Sequence, residues 1–213
     1  MKITKFGHSC FLIEDKGVRV LFDPGNMSKA QNKVRNIDAI IITHKHSDHM
    51  CVESIKKIMA NNKSAEIISN AQVAGILAEY DYKVKVVEEG ENSKYDLKGM
   101  KIEAFGNDHV YIYTGIPTPQ NTAYMINNKL FNTGDALINP PKKVDILIFI
   151  VTAPWIKLSE ILDFIFDVKP RIAIPAHDGN MKDITDYLEK LTKILGDKGI
   201  LLHNLEINKE YKL

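Results

Sequence analysis

The stretch Asp38-Ala39-Ile40-Ile41-Ile42-Thr43-His44-Lys45-His46-Ser47-Asp48-His49 decides how the chain is read. Its first half, Asp38 to Thr43, is an apolar, β-branched run, the pattern of a buried strand. Its second half places four potential metal ligands, His44, His46, Asp48 and His49, within six residues. An extended chain puts residues two apart on the same side, so His44 and His46 can offer both imidazoles to one ion. A turn then brings Asp48 and His49 toward a second position. Imidazole and carboxylate donors suit zinc, manganese and iron. The alternative is a surface cluster without a metal. It accounts poorly for four such groups directly after a buried strand.

Upstream of this stretch the chain reads as short strands, Lys2 to Phe6, Cys10 to Glu14 and Val18 to Asp23, with Lys16-Gly17 as the turn between the last two. Downstream, helical and extended patterns alternate. Val52 to Ala60 is helical, Glu66 to Ser69 extended, Ala71 to Tyr80 helical and Lys83 to Val87 extended. Strands follow at Lys101 to Phe105, Thr122 to Ile126 and Lys129 to Asn132, and Asn127-Asn128 suits the turn between the last two. Asp145 to Val151 is a fully buried strand. Ser159 to Asp167 is a helix that stops before Lys169-Pro170. Arg171 to Pro175 is a strand, Met181 to Leu195 the longest helix, with Gly196 as its stop, and Ile200 to His203 closes the sheet. Sheets with helices on their outer faces fit this order, an α/β (α+β) class.

Bulk composition narrows the function classes. With 213 residues, 45% of them hydrophobic, the chain can bury a full core, and one domain over 1–213 is expected. Its net charge of +1 lacks the footprint of a dedicated nucleic-acid binder. Lys56, Lys57 and Lys63, and the pair Lys142 and Lys143, read as solvated surface. Two cysteines are no disulfide framework; Cys10 and Cys51 read as small buried packing residues. No apolar run resembles a signal peptide or a membrane span, and a cytoplasmic location is the expectation.

The motif His44-x-His46-x-Asp48-His49 resembles the signature of the metallo-β-lactamase superfamily, and the resemblance continues along the chain. Asp23, in Phe22-Asp23-Pro24, looks like the family's aspartate at the end of an early strand. His109, in Gly106-Asn107-Asp108-His109, falls where a third histidine is expected. Asp135, in Asn132-Thr133-Gly134-Asp135, is similar to the bridging aspartate after a hairpin. His177, in Ile174-Pro175-Ala176-His177, is similar to the last histidine at a strand end. The match spans about residues 1 to 180, and only its first motif is specific on its own. The opening Lys5-Phe6-Gly7-His8-Ser9 and the closing Pro175-x-His177 resemble a branch of small hydrolases similar to the ascorbate-phosphate lactonases.

The resemblance implies a four-layer αβ/βα sandwich with the site at one edge of two packed sheets. It implies two divalent metal ions, zinc first, with manganese or iron accepted by the same donors. One would sit on His44, His46 and His109. The other would sit on Asp48, His49 and His177, with Asp135 bridging. Asp23 then supports a ligand by accepting an imidazole or backbone N–H, or is a plain Asp-Pro turn. His8 is placed either beside the substrate as a proton donor or as a tie for the first strand. Trp155 is a pocket wall or an ordinary packing residue, and Asn121 and Asp108 are further pocket candidates. His203 has no motif around it.

Two metals about 3.5–4 Å apart can share a hydroxide that attacks a carbonyl carbon or a phosphorus, with Asp48 orienting it or collecting its proton. The expected activity is hydrolysis of a small soluble substrate, an ester or lactone. A phosphodiesterase or nuclease of the same superfamily is the alternative, and a non-catalytic metal-binding protein acting through a partner is a second. Histidine at position 46 argues against the flavodiiron-type oxidoreductases, which usually carry an acidic residue there. No nucleic-acid or membrane signal is evident, and a homo-oligomer is compatible with the sequence.

Overall fold

The computed structural model describes all 213 residues. The first half contributes β1 (Lys2–Gly7), β2 (Cys10–Asp15), β3 (Val18–Phe22), β4 (Ala39–Ile41), α1 (Val52–Asn61), β5 (Glu66–Ser69), α2 (Ala71–Ala78) and β6 (Val84–Val86). The second contributes β7 (Lys94–Leu97), β8 (Met100–Phe105), β9 (Ala123–Ile126), β10 (Leu130–Asn132), β11 (Ile146–Ile150), α3 (Leu158–Val168), β12 (Ile172–Ala176), α4 (Thr185–Gly196), β13 (Leu201–Leu202) and β14 (Glu210–Lys212). Two seven-stranded sheets result, ordered β14-β1-β2-β3-β4-β5-β6 and β13-β12-β11-β10-β9-β8-β7.

The period-2 geometry of a strand divides each central run between two cores. Ala39 and Ile41 of β4 face the interior shared by the sheets, where Ile146 and Ile148 of β11 meet them. The intervening Ile40 packs with Ile55 and Ile58 of α1 and with Val73 and Leu77 of α2. On the other sheet, Leu147 and Phe149 pack with Ile161, Phe164 and Ile165 of α3 and with Leu188, Leu191 and Leu195 of α4. Both faces of these strands are covered, which is why they read as unbroken apolar runs. The result is the expected αβ/βα sandwich.

The turns follow their local chemistry. Lys16-Gly17, Lys98-Gly99 and Asn127-Asn128 all have positive φ, the requirement of a tight hairpin turn. Lys169 ends α3 in the left-handed conformation (φ 50°), directly before Pro170.

Three differences from the sequence reading matter. The last helix starts at Thr185 rather than Met181, because the Asp183 side chain accepts from the Thr185 N–H at 2.9 Å and residues 177–184 stay open as a loop. β7 and β14 have no clear apolar pattern; they are edge strands, held by backbone pairing to β8 and β1. Cys51 is half-buried at the start of α1, its thiol 3.6 Å from Glu53, rather than a packed core residue like Cys10.

The strands β3 to β6 run parallel, as do β10 to β13. Their C-terminal ends, with those of β1 and β8, deliver the loops that carry the histidines and aspartates. No helix is long and apolar enough to cross a membrane.

Candidate metal centre

Each site residue follows a strand. His8 lies in the β1–β2 turn, Asp23 at the end of β3, and residues 44–49 in the loop after β4. His109 lies in the loop after β8, Asp135 after β10, Trp155 after β11 and His177 after β12. His8, Asp23 and His177 all have positive φ (49°, 45° and 62°), a conformation that non-glycine residues rarely hold without a tertiary reason. Residues 42–50 are an irregular loop, not an extension of β4, yet His44 Nε2 and His46 Nδ1 still come within 3.1 Å. The loop packs closely: a Cβ at Gly25 would lie 1.7 Å from the Asp48 carbonyl oxygen, so only glycine fits under it.

The candidate ligand atoms form two groups, each within 4.8 Å of one another: His44, His46, His109 and Asp135, and His8, Asp48, His49 and His177. Asp135 touches both. Its carboxylate oxygens lie 3.4 Å from His109 Nε2, 3.8 Å from His44 Nε2, 3.2 Å from His49 Nε2 and 3.2 Å from His177 Nε2. The Nε2 atoms of His49, His109 and His177 and both oxygens of Asp135 are buried without a hydrogen-bond partner. Leaving five such atoms unsatisfied in one place is costly. Cations between the two groups would satisfy them together, and the imidazole and carboxylate donors fit divalent transition metals.

The outward-facing nitrogens are fixed by oxygen acceptors. His49 Nδ1 donates to Asp23 at 3.0 Å, His109 Nδ1 to the Val110 carbonyl at 2.7 Å, and His177 Nδ1 to the Thr152 carbonyl at 2.8 Å. His44 Nδ1 faces the Thr43 hydroxyl at 3.0 Å, and that hydroxyl donates onward to Asp23. With Nδ1 committed to donating in these four rings, Nε2 is the atom that faces the centre and offers its lone pair once any proton there is displaced. Asp23 is therefore a support for the ligand loop: fully buried, it also accepts from the Thr43 N–H at 2.8 Å.

His8 differs. Its Nδ1 accepts from the Gly179 backbone N–H at 3.0 Å, so the ring proton must sit on Nε2, which donates to Asp48 at 3.0 Å. That tautomer has no free lone pair. Although His8 stands in the second group, it holds Asp48 and is not available as a ligand.

A family model described as "Beta-lactamase superfamily domain" matches residues 2–177. A Mycobacterium tuberculosis protein is 36% identical over 182 residues, covering 83% of this chain and 84% of its own. A metal-dependent hydrolase of Carboxydothermus hydrogenoformans is 28% identical over 196 residues, covering 83% and 84%. The metallo-β-lactamase fold protein YhfI of Bacillus subtilis superposes with a TM-score of 0.72 at 15% identity, covering 99% of this chain and 98% of its own. The chain belongs to the metallo-β-lactamase superfamily.

Within this superfamily member, other candidates take different places. Asn121 is fully buried, and both ends of its amide are used: it donates to the Thr133 carbonyl at 3.0 Å and accepts from the Asp135 N–H at 3.0 Å. It sets the Asp135 loop rather than facing a pocket, which corrects its reading as a substrate contact. Trp155 stands beside the centre, its ring 5.6 Å from His109 and 6.2 Å from His177. Asp108 is exposed at the rim of the adjoining cavity. His203 lies past β13 and packs against Tyr211, away from the site.

Lys5 enters the sequence only as part of the opening motif Lys5-Phe6-Gly7-His8-Ser9, with no role of its own. It is fully buried, donates to the Pro175 carbonyl at 2.9 Å and pairs with Asp178, so it ties β1 to the strand end that carries His177. Strand alternation puts it on the same inward face as Ile3, an unusual place for a lysine and the signal by which it could be found.

The electrostatics of the centre favour positive charge on two rings. Burial opposes protonation of His177, but the Asp135 and Asp48 carboxylates, 3.2 and 3.3 Å from its Nε2, outweigh it and push the ring up to about 9. His49 rises well above the ordinary value for the same reason, burial being overcome by Asp135 and Asp23. Burial, reinforced by the neighbouring histidines, drives His44 well below it and lowers His46. Metal ligands must shed their protons, so at neutral pH ions compete with protons on His49 and His177.

Two outcomes follow for this superfamily member. Metal binding at pH 7 releases at least one proton per chain, and apparent affinity climbs as pH rises toward the folded-state value of His177, about 9. Calorimetry in buffers of different ionisation enthalpy measures this, and zero proton release contradicts it. Removing the Asp23 carboxylate with Asp23→Ala lowers metal affinity by about 10- to 100-fold, read by competition with a chromophoric chelator. An unchanged affinity would return Asp23 to a simple turn.

Proposed function

We propose that this metal-dependent hydrolase cleaves an ester or lactone bond in a small soluble substrate, using two divalent ions held by His44, His46 and His109 on one side and Asp48, His49 and His177 on the other, with Asp135 between. The observation that carries the reading is the set of five buried, unpartnered donor atoms on His49, His109, His177 and Asp135, facing one another at the strand ends. Bound ions at such a site supply Lewis-acid polarisation and a nucleophile drawn from water at neutral pH.

The chain's own groups do the rest. Burial raises the Asp48 carboxyl, but the facing His177 ring and the hydrogen bond from His8 outweigh it and hold the group far below the usual carboxylate range. A carboxylate that stays ionised is a poor store for a proton and a good acceptor of a hydrogen bond. Asp48 therefore orients a reacting water more than it titrates. His8, kept neutral by burial and donating through Nε2, fixes the direction of that carboxylate. Trp155, beside His109 and His177, walls one side of the centre and keeps water from it.

A panel of esters, lactones and phosphodiesters, assayed with chelator and with metal restored, tests the reaction class. Turnover of an ester or lactone that vanishes with chelator and returns with metal is the expected result. In the same assay Asp48→Asn, checked for retained metal, loses about 10²–10⁴-fold in kcat. Full turnover in that variant would remove Asp48 from this role, and hydrolysis confined to phosphodiesters would replace the substrate class.

A further inference from the structure

A cavity of about 620 Å³ opens beside the centre, bounded by His109, Trp155, residues 110–112 and residues 136–138. That volume is within the range of small-molecule sites. Its walls are apolar: Val110, Ile112, Ala136, Leu137, Ile138 and Trp155. Its charges, Asp108, Lys157 and Glu160, are exposed and sit at the mouth. Glu160 is already engaged, accepting from the Lys157 backbone N–H at 2.9 Å at the start of α3.

The wall is fixed to the centre. The Val110 N–H donates to the Asp135 carbonyl at 3.0 Å, and the Val110 carbonyl accepts from His109 Nδ1. A group in this cavity is thus held in register with the two ligand residues. Tyr111, another lining residue, is 61% exposed, and Tyr113 and Ile116 on the same loop are 70% and 48% exposed. Tyr111 is thus a large side chain left in water at the edge of an apolar cavity, and the loop that follows it adds exposed apolar surface of the kind that a ligand covers. The indole Nε1 of Trp155 is buried without a hydrogen-bond partner, although buried indoles usually find one.

We propose that the non-reacting part of the substrate is an uncharged alkyl or aryl group that occupies this cavity, with Ile112, Ile138 and Trp155 setting specificity. The inference rests on the hydrolase reading for where the reacting bond lies, but the cavity itself needs no metal. Burying methylenes there gives the affinity, and two of the three rim charges, Asp108 and Glu160, repel an anionic tail. Esters and lactones with apolar substituents are the resulting substrate class, ahead of sugar phosphates or dicarboxylic acids.

Trp155 is the only tryptophan in the chain, so its fluorescence reports the cavity directly. The metal-loaded protein is titrated with butyrate, hexanoate and octanoate, and separately with 1-butanol, 1-hexanol and 1-octanol. Affinity should rise about fourfold per added methylene until the cavity is filled, and Ile112→Asp should flatten both series. A length-dependent alkanol series with no carboxylate binding supports the cavity while counting against the metal-held reacting group. Absence of length dependence in both series on the wild-type chain, or tighter binding of succinate than of hexanoate, overturns the proposal.

Discussion

The carboxylate of Asp23 is the contact on which the centre depends. It is fully buried at the end of β3, and it takes the backbone N–H and hydroxyl of Thr43 and the Nδ1–H of His49. Thr43 follows β4, so this one group couples the ends of two strands to the first residues of the ligand loop. Burial pushes its carboxyl up, and His49 and Thr43 pull against that. The polar support continues underneath. Asn70 donates to the Thr43 carbonyl and Asn121 holds the Asp135 loop, so the buried amides at these strand ends work as scaffolding. A cluster of imidazoles is useful to a metal only if each ring is turned the right way, and these contacts do the turning.

The same arrangement puts the centre under electrostatic tension. Nearby imidazoles and carboxylates at one edge cannot all keep their ordinary protonation states. Protons gather on His49 and His177, where carboxylates are nearest, while His44 is kept neutral by burial. Divalent ions would take over the role of those protons. The left-handed backbone at His8, Asp23 and His177 belongs to the same picture: unlike that of the hairpin turns and the end of α3, it is used where side chains must be aimed at the centre.

Much of this was legible in the sequence, for identifiable reasons. The central strands are apolar on both faces, and the runs at Ile40 and Ile146 announced that directly. The ligand loop was readable because four donors in six residues have few other uses. Single residues such as His109 and Asp135 gained meaning only in series with that motif. What escaped depended on contacts distant in sequence. The tautomer of His8 is set by Gly179, 171 positions away, and the burial of Lys5 by Asp178, 173 positions away. Asn121 looked like a pocket residue because polar loop residues often are, whereas its amide is spent on backbone. The edge strands β7 and β14 are defined by pairing, not by composition.

The account turns on two ions shared between the two ligand groups. Elemental analysis of freshly purified, metal-replete protein tests it most directly, for the wild type, His46→Ala from the first group and His177→Ala from the second. The account predicts about two transition-metal ions per wild-type chain and about one in each folded variant. A wild-type chain left empty by metal-replete buffer would contradict it. So would a chain holding a single ion that either substitution removes, since one shared ion cannot occupy two sites.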